Sequence, residues 1–334
     1  MKIAYPGTVA SQSGTFRSLH LRNYRVYFIG ILISFVGQWM QSTAQSWVVL
    51  TELTDEDAAA IGITMALQFA PPLLLVGVTG WVADRFDRRT LIAITQSALL
   101  LISLAIGVLL LLDAMTLPVM LTLAFASGVV TAFDNPTRQA FVTDIVSNDN
   151  AANAVALNAM VFNVARLVGP AAAGVLLVAV DSGWVFVVNA ATFVAMLVSL
   201  AAMRRAELVP QHRGPQMGRF ADGFRYVRSR ADLLVLFVMV FLIGAFGMNF
   251  AIYASTMALE FGHDADGFGI LTSIFAIGSV SGALLLARRG RPQLRVVVLG
   301  TALFGLASFV SALMPGFWWY GLVLVLVGFS LSTV

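Results

Sequence analysis

The sequence predicts an all-α polytopic membrane protein, on three observations. Hydrophobic residues fill 59% of the 334 positions and charged residues only 11%, against about 25% charged in a soluble domain. The apolar residues fall into ten runs, each near the ~20 residues that a helix needs to cross a bilayer. The charges sort by sign between the connections that join those runs, as membrane insertion demands.

The runs are Tyr24 to Leu50, Ala60 to Val82, Thr90 to Leu112, Leu117 to Arg138, Ala154 to Val180, Trp184 to Met203, Asp232 to Ala258, Gly267 to Ala287, Gln293 to Met314 and Gly316 to Val334. Residues 1–23 have no apolar core, so the first span serves as its own insertion signal. The expected organisation is a cytoplasmic segment 1–23, a six-helix bundle 24–203, a cytoplasmic linker 204–231 and a partial, four-span bundle 232–334. In the linker, Phe220, Phe224 and Val227 recur at i, i+4, i+7 after Pro210, Gly214 and Pro215. This is the pattern of a short amphipathic helix on the cytoplasmic leaflet, and a solvated linker has the same composition.

With the N-terminus inside, the inner segments hold 19 of the 20 Lys and Arg, and the remaining one, Arg166, lies within a span. The outer loops carry Glu52, Asp55, Glu56, Asp57, Asp113, Asp181, Glu260, Asp264 and Asp266. The positive-inside rule therefore places the N-terminus in the cytoplasm. Trp47, Trp184, Trp318 and Trp319 fall at outer span ends, where indoles anchor to the interface.

Composition also excludes chemistries. There is no cysteine, hence no disulfide or thiolate site, and Lys2 is the only lysine, so no GxxxxGK phosphate loop exists. His20, His212 and His263 are scattered and form no metal cluster. The formal charge of +3 is spread through short loops and is not a nucleic-acid footprint. No nucleophile and base stand together, so neither an enzyme nor a cofactor is expected.

Four features carry candidate function. Gly80, Asp84, Arg85, Arg88 and Arg89 form a charged loop between the second and third spans, with Gly80 placed for close helix approach and Asp84 for a helix end or an arginine. On the first span Ser34, Gln38, Gln41, Ser42 and Gln45 share one face, which suits an aqueous cavity or inter-helix hydrogen bonding. Trp39 and Gln68 border that face, and Asn249 and Tyr253 are the corresponding candidates on the seventh span. On the fifth span Ala165, Gly169, Ala173, Pro170 and Gly174 make a strip of small residues for tight packing, with Pro170 favouring a bend. Arg166 lies about 18 Å into that span, a costly place for an unpaired charge. Asp134 is its nearest plausible acid and Asn163 a neutral partner one turn away; a structural ion pair explains it as well as a functional one.

The loop pattern GxxxDRxxRR resembles the signature between helices two and three of the major facilitator superfamily. Asp87 stands where that family has a turn glycine, a position that Asp tolerates in the left-handed region. The strip around Pro170 is similar to the glycine-proline motif of the superfamily's antiporters, with Ala165 and Ala173 in place of glycines. Leu21 to Arg25, Asn135 to Ala140, Leu157-Asn158 and Arg166 to Pro170 together resemble the bacterial branch of enterobactin and drug exporters. A weak repeat, Gly278 to Gly282 leading into Arg288 to Pro292, matches the second span and its basic loop, as paired halves require.

The resemblance implies a major facilitator fold with a six-helix N-terminal and an incomplete C-terminal bundle, because the family has twelve spans and this sequence reaches Val334 at its tenth. It implies that the charged loop is a conformational latch. It also implies efflux of small hydrophobic or amphipathic molecules by alternating access, with protons as coupling partner through Arg166 and Asp134, by a monomer in the bacterial cytoplasmic membrane. Import, a sensor or scaffold that keeps the fold without transporting, and an intramembrane enzyme are the alternatives.

Overall fold

The computed structural model describes residues 16–208, 250–287 and 294–332, with isolated positions between 226 and 244, and its regular secondary structure there is entirely helical. In chain order the helices are α1 (Arg22–Thr51), α2 (Ala58–Leu74), α3 (Val76–Arg85), α4 (Arg88–Leu111), α5 (Leu117–Ile145), α6 (Asn148–Ala179), α7 (Ser182–Ala202), α8 (Phe250–Glu260), α9 (Ala265–Ala287), α10 (Leu294–Ser311) and α11 (Phe317–Ser332). Most of the linker 204–231 and Asn249 lie outside the described residues.

By length and composition α4, α5, α6 and α7 can each cross a membrane, and α2 with α3, bent by 58° at their junction, are together long and apolar enough for a fifth, as a broken span or a re-entrant loop. The bend falls after Pro71 and Pro72, which remove two backbone donors from α2. Helix α1 has ample length, but its glutamines and serines dilute it, and composition alone does not mark it as a span.

Two sequence boundaries move. The fourth span continues past Arg138 to Ile145, and the fifth begins at Asn148 rather than Ala154. The cause is burial: Phe141, Val142 and Ile145 join Tyr24, Tyr27, Ile92 and Met196 in one apolar cluster. Arg138 is consequently an interior residue, 1% exposed, and not one of the interface arginines.

The first half packs α1 against α6 and α7, α4 against α5 and α7, and α2 against α5. The second half packs α9 and α10 on α11, and α9 also meets α6. The halves join near the acidic loops. There Trp47 is 8% exposed and stacks on Phe268 with ring centroids 5.5 Å apart. Its expected role as a lipid-interface anchor is therefore corrected: the indole belongs to the apolar cluster of α8, α9, α10 and α11. Trp184, Trp318 and Trp319 remain 48–69% exposed, as anchors should be. At the opposite, basic end the apolar cluster draws, among the described residues, on those up to Leu208.

The two halves repeat one contact. A Cβ on Gly128 of α5 would lie 2.3 Å from the Gln68 carbonyl oxygen of α2, and one on Gly328 of α11 would lie 2.3 Å from the Phe275 carbonyl of α9. Counting from the helix starts, both glycines are at about the twelfth position and both carbonyls at about the eleventh, the register that two copies of one packing unit share. Pro72 removes the i+4 donor of Gln68, which leaves that carbonyl free for the close approach.

Replacing Gly128 by Ala is expected to cost about 1–3 kcal/mol, because backbone must move. Gly80→Ala, with nothing within 4 Å of its Cβ, is expected to leave the melting temperature in detergent unchanged. Equal melting of both variants would refute the packing account.

Candidate functional site

The charged loop is organised by Arg88. Its Nε donates to the Ala83 carbonyl at 3.1 Å, one terminal nitrogen to the Ala140 carbonyl at 3.3 Å and to Asp144 at 2.8 Å, and the other to Asp84 at 3.2 Å. Asp84 is 73% exposed in this pair and Asp144 only 13%, so the tie to α5 through Asp144 is the stronger one. The sequence reading missed Asp144. Its signal was an acid at the basic end of a span, facing three arginines. Arg89 donates to the Leu200 carbonyl of α7, and Arg85 lies over Trp81, 5.3 Å from the ring centroid. Each of these partners belongs to the first half.

Two expectations for this loop fail. Gly80 is not a close-approach glycine, because α3 packs through Thr79 and Ala83 and leaves Gly80 beside open space. Asp87 does not adopt a left-handed turn: its φ is −63°, and its carboxylate caps α4, accepting from the Thr90 N–H at 2.8 Å and the Thr90 hydroxyl at 2.6 Å.

The second group is a buried polar core. Arg138 Nε lies 2.6 Å from Asp134 Oδ2, with both side chains at most 2% exposed. Asp134 Oδ1 also accepts from Thr95 at 2.5 Å and Gln96 at 3.0 Å, while Arg138 donates to Ser34 at 3.0 Å. Ser34 donates in turn to Gln96 at 3.1 Å, and the guanidinium sits 4.9 Å from the Phe35 centroid. One ion pair thus joins α1, α4 and α5. Asp134 is therefore the partner of Arg138, and not of Arg166.

The glutamine face of α1 divides. Gln41 accepts from Ser103 of α4 at 2.6 Å and from Asn189 of α7, so Ser34 and Gln41 are packed between helices and do not line a cavity. Both are nearly fully buried because their face of α1 meets α4 and α7, which offer donors and acceptors. Gln45 is 3% exposed and faces α2 across a gap of about 10 Å³ lined by Ser42, Ser46, Ile61, Thr64, Met65 and Gln68. That is room for one water at most. Gln68 donates to Ser127 at 3.4 Å. Gln38 and Trp39 are half-buried. Tyr253 is 46% exposed on α8.

The small strip of α6 has close neighbours at two of its glycines. A Cβ on Gly169 would lie 2.5 Å from Trp39 of α1, and one on Gly174 would lie 2.8 Å from Gly269 of α9; Pro170 lies inside an unbroken helix. At about 100° per residue, Ala159, Phe162, Asn163 and Arg166 fall in the sector of about 140° between those two glycines. The C-terminal part of this stripe is closed by α9 at Gly174, while Ala159, Phe162 and Asn163 are exposed. Phe162 is 39% exposed and meets Phe35 and Trp39 edge-on, at 5.8 and 5.7 Å. Arg166 is half-buried and has no ion pair or hydrogen bond among the described residues. Asn163 bonds the Ala159 carbonyl, not Arg166.

Near the acidic loops, a cavity of about 640 Å³ is lined by Trp47, Glu52, Leu177, Asp181, Ser182 and Trp184. Ser182 donates to Glu52 at 2.9 Å. Burial holds the Glu52 carboxyl above its ordinary range, against that hydrogen bond, and Asp181 and Asp113 push it the same way.

The family model of the transmembrane secretion effectors matches residues 13–333. The staphyloferrin A transporter of Staphylococcus aureus is 26% identical over 288 residues, which are 85% of this chain and 72% of that protein. Macrolide efflux protein A of Streptococcus pyogenes is 23% identical over 321 residues, 92% of this chain and 78% of that protein. Among solved structures, a bacterial homologue of the human lysosomal transporter Spinster, inward-facing and unoccupied, superposes with a TM-score of 0.66 at 16% identity, covering 93% of this chain and 74% of that one. A nucleoside transporter gives 0.67 at 13%, covering 93% and 80%. At these identities the structures speak for the fold alone.

Replacing Asp134 by Asn strands the Arg138 charge and is expected to cost about 3–5 kcal/mol, against no more than about 1 kcal/mol for Asp84→Asn on the exposed side of its pair. Thermal melting in detergent ranks the two; the reverse order would show that the buried pair is not a structural tie.

Proposed function

This chain belongs to the transmembrane secretion effector family of major facilitator transporters, and on that premise we propose that it is a secondary exporter of small hydrophobic or amphipathic molecules, working by alternating access. The observation that carries the reading is the closure between halves among the described residues: Trp47 on Phe268 and Gly174 on Gly269 close the acidic end, while Ala159, Phe162 and Asn163 of the α6 stripe are exposed. The arrangement is an inward-open one if the arginine-rich end is cytoplasmic, as the charge asymmetry supports. The cavity beside Trp47 and Trp184 then lies on the release side, and the stacked Trp47 and Phe268 form the partition that must part.

Export is favoured over import by the relative named for macrolide efflux. The proton is assigned to Asp134: protonation would discharge its pair with Arg138 and loosen the contact between α1, α4 and α5. In the latch role, Arg88, Asp84 and Asp144 hold α3 on α5 while the halves rock, and Gly169 and Gly174 supply the smooth surface that such sliding uses.

The chain contains no cysteine, so single cysteines report access directly. Ala159→Cys is expected to react with a membrane-impermeant maleimide from the arginine-rich side only, and several-fold more slowly under an imposed proton gradient. An Asp134→Asn background that still melts cooperatively should lose the response to the gradient. A labelling rate indifferent to the gradient in the parent chain would favour a non-transporting scaffold that keeps the fold.

A further inference from the structure

We infer that the cargo of this transporter is an amphipathic organic anion, its acidic group met by Arg166 and its rings by Phe35, Trp39 and Phe162. The inference rests on the transport reading above and adds the charge class.

The argument is a charge inventory. Within the spans of the first half, away from their ends, the charged residues are Asp134, Arg138 and Arg166. Residues 233–259, 267–287 and 296–334 contain none. Asp134 and Arg138 cancel at 2.6 Å, and the remaining carboxylate oxygen is taken by Thr95 and Gln96. Among the described residues one interior cation, Arg166, is left without a paired acid, and a guanidinium keeps its proton under all ordinary conditions.

Position gives that cation a use. Arg166 lies eight residues before Gly174 on α6, so about 12 Å from the seal between halves along the helix axis. It shares the inter-half sector with Phe162, its neighbour one turn away, which in turn touches Phe35 and Trp39. A half-buried charge in a membrane protein is costly unless it meets water or a counter-ion, and none of the described acids pairs with it. A planar guanidinium that shares a helix face with an aromatic side chain recognises a carboxylate, sulfonate or phenolate carried on an apolar body, through charge-assisted and often bidentate hydrogen bonds. A cationic cargo lacks the free carboxylate that it needs and is repelled by Arg166.

The test uses the purified chain in nanodiscs, titrated with radiolabelled 1-naphthoate and 1-naphthylmethylammonium, which share a ring system and differ in charge. Naphthoate is expected to bind saturably and at least about tenfold tighter. Arg166→Gln is expected to weaken naphthoate by about 10- to 100-fold, the worth of a charge-assisted hydrogen bond, and Arg166→Glu to reverse the preference, with melting temperatures reported beside both. If either variant unfolds, the competition between the two probes on the parent chain decides. Equal or tighter binding of the ammonium, an unchanged naphthoate affinity in a folded Arg166→Gln, or no saturable naphthoate binding overturns the inference. Labelling at Ala159 is independent of cargo charge, so the transport reading stands or falls separately.

Discussion

A carboxylate and a guanidinium buried between helices hold the first half of this protein together. In a bilayer an isolated ion is too costly to keep, and Asp134 and Arg138 persist because each completes the other at 2.6 Å. The pair then recruits what polarity the neighbouring helices offer: Thr95 and Gln96 from α4, Ser34 from α1. Between helices bathed in lipid there is little hydrophobic drive to choose one register over another, so these directional contacts decide it. Gln41 with Ser103 and Asn189 repeats the device one layer toward the acidic end.

Where polar ties stop, glycine takes over. Gly128 on the Gln68 carbonyl, Gly328 on the Phe275 carbonyl and Gly169 on α1 let backbones touch, so that dispersion and weak Cα–H contacts do the work that larger side chains would prevent. The equivalent placement of Gly128 and Gly328 marks the halves as versions of one unit. Among the described residues the halves meet along α6 and α9 and where α8 packs on α1 and α2, with Trp47 stacked on Phe268 and Gly174 against Gly269 at the acidic end.

Arg166 is the counterpart of the buried pair. The same physics that forces Asp134 and Arg138 together makes an arginine in the next helix informative when no acid among the described residues pairs with it. Asn163, the neutral neighbour expected beside it, turns back to its own helix at Ala159, and the available acid is occupied by a residue four positions away on the same helix.

The sequence by itself determined the class and the family of the chain: apolar run lengths, the separation of arginines from acids, and the Gly80 to Arg89 loop are one-dimensional signals. It also marked the residues that matter, since a charge or a glutamine row within a span stands out from composition. What it did not carry was pairing. Asp134 and Arg138 share α5 at i, i+4 spacing, yet only the seating of α1 and α4, which offer Ser34, Thr95 and Gln96, turns both side chains inward as a buried pair. The face bearing Ser34 and Gln41 suits a cavity or a helix contact equally, and the seating of α4 and α7 decides for the contact. Trp47 has the composition of an anchor until Phe268 arrives from a helix more than two hundred residues later. Gly80 has the look of a packing glycine until the bend after Pro72 sets α3 on Thr79 and Ala83. Local periodicity specifies which side of a helix is polar; what that side meets depends on helix crossings, which are set by the sum of many contacts and are written in no single stretch of sequence.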